Sequence, residues 1–129
     1  MSLLVGNRYN ETIGVEINPN AIDMANLNKE INKQNCSFIC SPVENIIDKL
    51  VDNNNKFIIF INPPRRGIYE NVIIKLNEIR SHVKQIIYLS CNELSLKRDL
   101  ELFDYKYNIL NKYYMFPDNL YVETCVELI

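Results

Sequence analysis

The residues of this chain whose types and settings could do chemistry are Cys91, Glu123, Glu16 and the run Asn62-Pro63-Pro64-Arg65-Arg66-Gly67. Cys91 follows the apolar run Ile86-Ile87-Tyr88-Leu89-Ser90 and precedes a helical pattern. Its sulfur therefore belongs near the positive end of a helix dipole, a setting that favours a thiolate nucleophile, although a buried inert thiol has the same local sequence. Glu16 ends an apolar run, where a carboxylate can accept two hydrogen bonds from the ribose hydroxyls of a nucleoside, or simply cap the strand in water. The diproline stiffens its loop and removes two backbone donors, while Arg65 and Arg66 supply guanidiniums suited to phosphate; the plainer reading is a stiff turn with solvated arginines. Glu123 enters the last strand, and only its register decides which way it faces.

These residues need elements to position them. Thr12 to Ile17 reads as a strand, and Asn18-Pro19 then offers an N-cap and a first-turn proline to a helix carrying Ile22, Ala25, Asn26 and Ile31. Cys36 to Cys40 is a short strand, Ser41-Pro42 opens a helix through Val43, Ile46, Ile47, Leu50 and Val51, and Asp52 to Asn55 ends it. Lys56 to Ile61 is a buried strand, Asn62 to Gly67 a loop, and Val72, Ile73, Leu76 and Ile79 mark a helix. A strand over Gln85 to Ser90 leads through Cys91-Asn92 to a helix from Glu93 to Leu102. Tyr105 to Tyr114 and Tyr121 to Ile129 close the chain as an antiparallel pair around Met115-Phe116-Pro117-Asp118-Asn119. Alternating strands and helices predict an α/β sandwich with ligands at the strand carboxyl ends, where Glu16-Ile17-Asn18, Asn62 to Gly67, Ser90-Cys91-Asn92 and the Phe116 to Glu123 turn could share one pocket.

Composition narrows the classes. With 129 residues, 47% apolar and 23% charged, the chain has material for one modest core. No apolar run approaches the roughly twenty residues of a membrane span, and the amino terminus lacks a secretory signal, so the expected setting is cytoplasmic. A net charge of −2 excludes a general nucleic-acid binder, so any RNA contact must be local. The four cysteines read as thiols, with Cys36 and Cys40 as buried small apolar residues, and one histidine, His82, leaves little for a triad or a metal site.

Four motifs occur in order: Ile13-Gly14-Val15-Glu16, the Asn62 to Gly67 loop, Tyr88-Leu89-Ser90-Cys91-Asn92 with Arg98-Asp99 downstream, and Met115-Phe116-Pro117 before Val122-Glu123. From near residue 2 to the end, the chain resembles the catalytic domain of the RNA uracil-5-methyltransferases, which form 5-methyluridine in transfer or ribosomal RNA using S-adenosylmethionine. The Asn-Pro-Pro-Arg-Arg-Gly form resembles the branch acting on 23S ribosomal RNA. The resemblance implies Cys91 as nucleophile, Glu123 as base, Glu16, Ile17, Asn62 and Pro63 at the cofactor, and Arg65 and Arg66 toward RNA. Tyr114 stands where the family has an acidic residue before Met-Phe-Pro, and Asn119-Leu120-Tyr121-Val122-Glu123 replaces its Thr-x-His-x-Glu.

The implied fold is a Rossmann-like class I methyltransferase sandwich, mainly parallel with an antiparallel carboxyl-terminal strand. Its first strand and Gly-rich cofactor loop should precede Ser2-Leu3-Leu4, so residues 1–129 read as a partial, carboxyl-terminal methyltransferase domain that by itself binds S-adenosylmethionine weakly or not at all. The strands ending at Glu16 and Ile61 would then pair directly, or another chain would fill the slot by self-association. Competing readings are a noncatalytic remnant that binds RNA or protein, and a methyltransferase for small molecules, which would have no use for a Cys91 and Glu123 pair.

Overall fold

The computed structural model describes residues 8–51, 56–114 and 122–129. The Ser2-Leu3-Leu4 segment, the Asp52 to Asn55 turn, Met115-Phe116-Pro117 and the rest of the turn to Tyr121 lie outside the described residues. The chain divides into two compact units, Met1–Lys49 and Leu50–Ile129.

In the first unit, β1 (Ile13–Glu16) pairs in parallel with β2 (Ser37–Cys40), with α1 (Pro19–Asn32) between them in sequence. Asn18 caps α1 by accepting from the Asn20 N–H at 3.0 Å, and Pro19 occupies the first turn, where a missing N–H costs nothing. Lys33 ends the helix in the left-handed region at φ 50°. Of the expected helix face only Ile22 is buried, while Ile31 is 67% exposed. The helix expected after Pro42 is instead a 3-10 turn, Val43–Asn45, followed by α2 (Ile47–Leu50). Bonds from the Asn45 N–H to Pro42 O and from the Ile46 N–H to Val43 O tighten the start, leaving a piece too short to propagate cooperatively. Cys36 is buried as expected, but Cys40 is exposed. The strand begins at Ser37, so Cys36 lies before its alternation, while Cys40 is its last residue.

The second unit holds β3 (Phe57–Ile61), α3 (Glu70–Glu78), β4 (Val83–Ser90), α4 (Glu93–Leu102), β5 (Tyr107–Tyr114) and β6 (Val122–Leu128). Its sheet has the order β3-β4-β6-β5. Because β3 and β4 are parallel and β6 is antiparallel to both neighbours, β6 is the one reversed strand of the four. Direct pairing of β1 with β3 is not among the ladders of the described residues.

Burial follows the pleat. Ile86, Tyr88 and Ser90 of β4 stand opposite Leu128, Val126 and Thr124 of β6, all buried on one face. Val72, Ile73 and Leu76 of α3 and Leu96 and Leu100 of α4 complete this core at helical spacing. Asn77 ties the two helices together, donating to Leu102 O at 2.9 Å and accepting from the Asp104 N–H at 3.0 Å. By contrast the edge strand β5 is exposed along its whole length, Ile109 and Leu110 included.

Ile73 is fully buried and its neighbour Ile74 is 49% exposed. Ile73→Ala is expected to destabilise the protein by about 2–5 kcal/mol, and Ile74→Ala by less than about 0.5 kcal/mol. Urea unfolding of both variants checks this; equal losses would contradict the assigned core face.

Candidate active site

In the first unit, Glu16 ends β1 with its side chain exposed. Its Oε1 accepts from the Asn18 N–H at 2.9 Å, and its carbonyl accepts from the Ser41 N–H at 3.0 Å. The Cys40 thiol lies 3.7 Å from the Ile17 carbonyl. The Glu16-Ile17-Asn18 turn is thus tied both to the end of β2 and to the start of α1. Ile17 itself is 65% exposed.

In the second unit, the register brings three of the expected segments to one end of the sheet. Ile61 pairs with Tyr88, so Asn62 and Pro63 leave β3 beside the last residues of β4. The antiparallel ladder ends with Leu89 opposite Cys125 and Ser90 opposite Thr124. One further rung would set Cys91 opposite Glu123, and Glu123 is also opposite Tyr113 of β5. Cys91 and Glu123 are both half-buried. Asn62, Arg65 and Arg66 are exposed, and the Arg66 guanidinium lies 4.0 Å from the Tyr69 ring centre, a cation–π contact. The Phe116 to Tyr121 part of the expected pocket lies outside the described residues.

Cys91 is held by the cap of α4. Asn92 accepts from the N–H groups of Leu94 at 2.9 Å and Ser95 at 3.3 Å, fixing the start of the helix one residue after the thiol. The Ser90 hydroxyl donates to Asn92 O at 3.0 Å and accepts from the Asn92 N–H at 3.2 Å, closing the Ser90-Cys91-Asn92 turn on itself. These bonds explain why a serine and an asparagine flank the cysteine.

A residue given no role by the sequence reasoning sits at the centre. The Asp99 carboxylate, with 0% exposure, accepts from the Tyr88 hydroxyl at 2.7 Å, the Ile68 N–H at 2.8 Å and Arg98 Nε at 2.9 Å. Arg98 also pairs with it through its terminal nitrogen. The signal was present: Leu96, Asp99, Leu100 and Phe103 recur at the spacing of one helix face, and that face is buried. Gly67 passes against this carboxylate at φ 83°, and a Cβ there would overlap Asp99 and lie 2.7 Å from Arg98. Gly67→Ala is therefore expected to cost about 2 kcal/mol or more in denaturant unfolding, from backbone strain and overlap together. A loss under about 0.5 kcal/mol would mean that the loop can leave the carboxylate freely.

Two tyrosines in this unit hold their protons tightly. Burial raises the Tyr88 hydroxyl, helped by its bond to Asp99 and by that charge, against an opposing pull from Arg98. Burial pushes Tyr105 up to about 12, with Arg80 opposing it and Asp104 adding to it. An unfolded tyrosine titrates near 10, so the folded state keeps protons that the unfolded state loses. Stability should be unaffected by these groups below about pH 9 and fall as pH rises from about 10 through 12. Unfolding measured across that range, with Tyr105→Phe flattening the decline, checks the sign; a rise in stability would contradict it.

Among the described residues no group of three His, Cys, Asp or Glu side chains could hold a metal, and no helix is long and apolar enough to cross a membrane. No family model matches the chain. An uncharacterized RNA methyltransferase of Fusobacterium nucleatum is 34% identical over 134 residues, covering 100% of this chain and 28% of that protein. The tRNA (uracil(54)-C(5))-methyltransferase of Pyrococcus horikoshii is 33% identical, covering 92% of this chain and 28% of its own length. The crystal structure of the Pyrococcus abyssi tRNA (uracil-54, C5)-methyltransferase in complex with S-adenosyl-L-homocysteine superposes with a TM-score of 0.79 at 28% identity, over 98% of this chain and 31% of that one. The chain spans less than a third of each of these proteins.

Proposed function

We propose, from its identity of 34% and 33% to RNA methyltransferases over less than a third of their length, that this chain is the carboxyl-terminal catalytic part of an S-adenosylmethionine-dependent RNA (uracil-5-)-methyltransferase that works through a covalent cysteine adduct. The observation that carries this reading is the ladder of β4 and β6, whose last rung, Ser90 opposite Thr124, leaves Cys91 and Glu123 as the next residues at that end of the sheet. A thiol just past the end of one strand and a carboxylate on the strand beside it suit addition to a base followed by proton removal.

The residues present fit the cofactor's nucleoside. Glu16 uses one carboxylate oxygen on the Asn18 N–H, which leaves the other at an exposed strand end for ribose hydroxyls. Ile17 offers an exposed apolar side chain beside it. When bound, S-adenosylmethionine supplies an electrophilic methyl group.

Uracil C5 is a poor nucleophile. Attack of the Cys91 thiolate on C6 forms an S–C6 bond and moves an electron pair toward C5 as an enolate, so that C5 can accept the methyl group. Glu123 then removes the C5 proton, the C5–C6 double bond re-forms, and the S–C6 bond breaks to return the thiolate. Arg65 and Arg66, exposed on their loop, are suited to RNA phosphates. The target is an RNA uridine: the Asn62 form of the loop favours 23S ribosomal RNA, whereas the relatives named for a substrate act on tRNA.

The test joins the chain to the remaining length of a relative and presents RNA carrying 5-fluorouridine with S-adenosylmethionine. Fluorine cannot leave as a cation, so elimination stalls and a covalent RNA adduct accumulates on Cys91. Cys91→Ala should abolish the adduct, and Glu123→Gln should slow release from ordinary RNA while allowing addition. An adduct that survives Cys91→Ala refutes the assigned nucleophile. RNA binding without any adduct refutes the catalytic reading and favours a binding module.

A further inference from the structure

We infer that Asp99 is the positioning residue of this site, locking the Asn62 to Gly67 loop and the Cys91 turn into one rigid body. The loop leaves β3, the thiol leaves β4, and no ladder bond joins them beyond Ile61 and Tyr88. What joins them is a set of side chains from α4. Arg98, held by the Asp99 carboxylate, donates to Arg66 O at 2.8 Å and Ile68 O at 3.3 Å, while Asp99 accepts from the Ile68 N–H. One turn earlier, the Ser95 hydroxyl lies 3.0 Å from Arg65 O and 3.1 Å from Asn92 O, sharing its proton between the loop and the cap that follows Cys91. Tyr88, two residues before the end of β4, completes the ring through its bond to Asp99.

The arrangement has a directional consequence. The Arg65 and Arg66 carbonyls are drawn inward to Ser95 and Arg98, and both arginine residues are exposed. The glycine after them meets the carboxylate where a Cβ would stand. Loop, thiol and guanidiniums therefore hold one mutual geometry, set by a charge with no exposed surface. This inference rests on the proposed function for the role of Cys91, but its test needs neither RNA nor cofactor.

The experiment is pulse alkylation of the folded chain with iodoacetamide, with the rate at each cysteine read by peptide mass spectrometry. Cys36, buried in the first unit, and Cys125, half-buried in β6, report wider loosening inside the same molecule. Tyr88→Phe removes one bond to Asp99 and keeps the ring; Asp99→Asn keeps a carbonyl acceptor and removes the charge. Each is expected to raise the rate at Cys91 at least about fivefold, the factor for one ordinary buried hydrogen bond, which a bond to a buried charge exceeds, with Cys36 and Cys125 unchanged. A residue that merely stabilised the fold would move all the protected cysteines together. Unchanged Cys91 rates in Tyr88→Phe, or parallel rises at Cys36 and Cys125, overturn the inference, and Tyr88→Phe decides it if Asp99→Asn does not fold. An RNA adduct that survives Cys91→Ala would instead remove the proposed function and leave this coupling standing.

Discussion

A carboxylate with no exposure to water is the constraint on which the second unit is organised. Transfer of a charged carboxylate into a protein interior is tolerated only when donors replace its hydration. Asp99 draws those donors from three parts of the chain: a hydroxyl from β4, a backbone N–H from the loop after β3, and the guanidinium of its own helical neighbour. Each donor is thereby held in place by the need to satisfy the charge. Removing any one leaves part of a buried ion unpaired, so the penalty exceeds the modest net worth of an ordinary hydrogen bond. A carboxylate so held specifies one arrangement of the elements around it.

The reversed strand explains how Cys91 and Glu123, the proposed nucleophile and base, come to one end of the sheet. In a parallel sheet the carboxyl ends of all strands lie at one edge, which is where Asn62 and Cys91 emerge. A strand running the other way brings its beginning to that edge. Because β6 enters between β4 and β5 in the opposite direction, its first residues, Val122 and Glu123, come just before Thr124, which faces Ser90 at the end of β4. A one-residue slip would turn Glu123 to the other face. The buried alternation of Thr124, Val126 and Leu128 against Ser90, Tyr88 and Ile86 resists that slip, since it would move the core of this unit into water.

Much of this was legible in the sequence where punctuation was strong. Asn18-Pro19, the diproline loop and Asn92 marked element boundaries because an N-cap, a missing N–H and a short polar side chain act locally, whatever the tertiary context. The segment after Pro42 was misread because its apolar spacing over nine residues suits a helix, while a helix that short depends on packing that the spacing does not specify. Ile31 was misplaced for a related reason: periodicity identifies a face without saying whether anything covers it. Asp99 went unassigned because a lone carboxylate in a helix is usually solvated, although its spacing with Leu96, Leu100 and Phe103 put it on the covered face.

For a chain of net charge −2, the contact proposed with RNA has to be local and directed. Backbone orientation supplies the direction. Each carbonyl of Arg65 and Arg66 is taken up by a side chain of α4, and the following Pro64 to Gly67 turn is closed by the Gly67 N–H on Pro64 O at 2.9 Å. A turn with both inner carbonyls engaged has few ways to rotate, so the arginine side chains are presented without the entropy cost of ordering a free loop. The electrostatics of this surface thus derive from a negative charge buried beneath it: Asp99 fixes Arg98, Arg98 fixes the turn, and the turn presents two further positive charges to solvent.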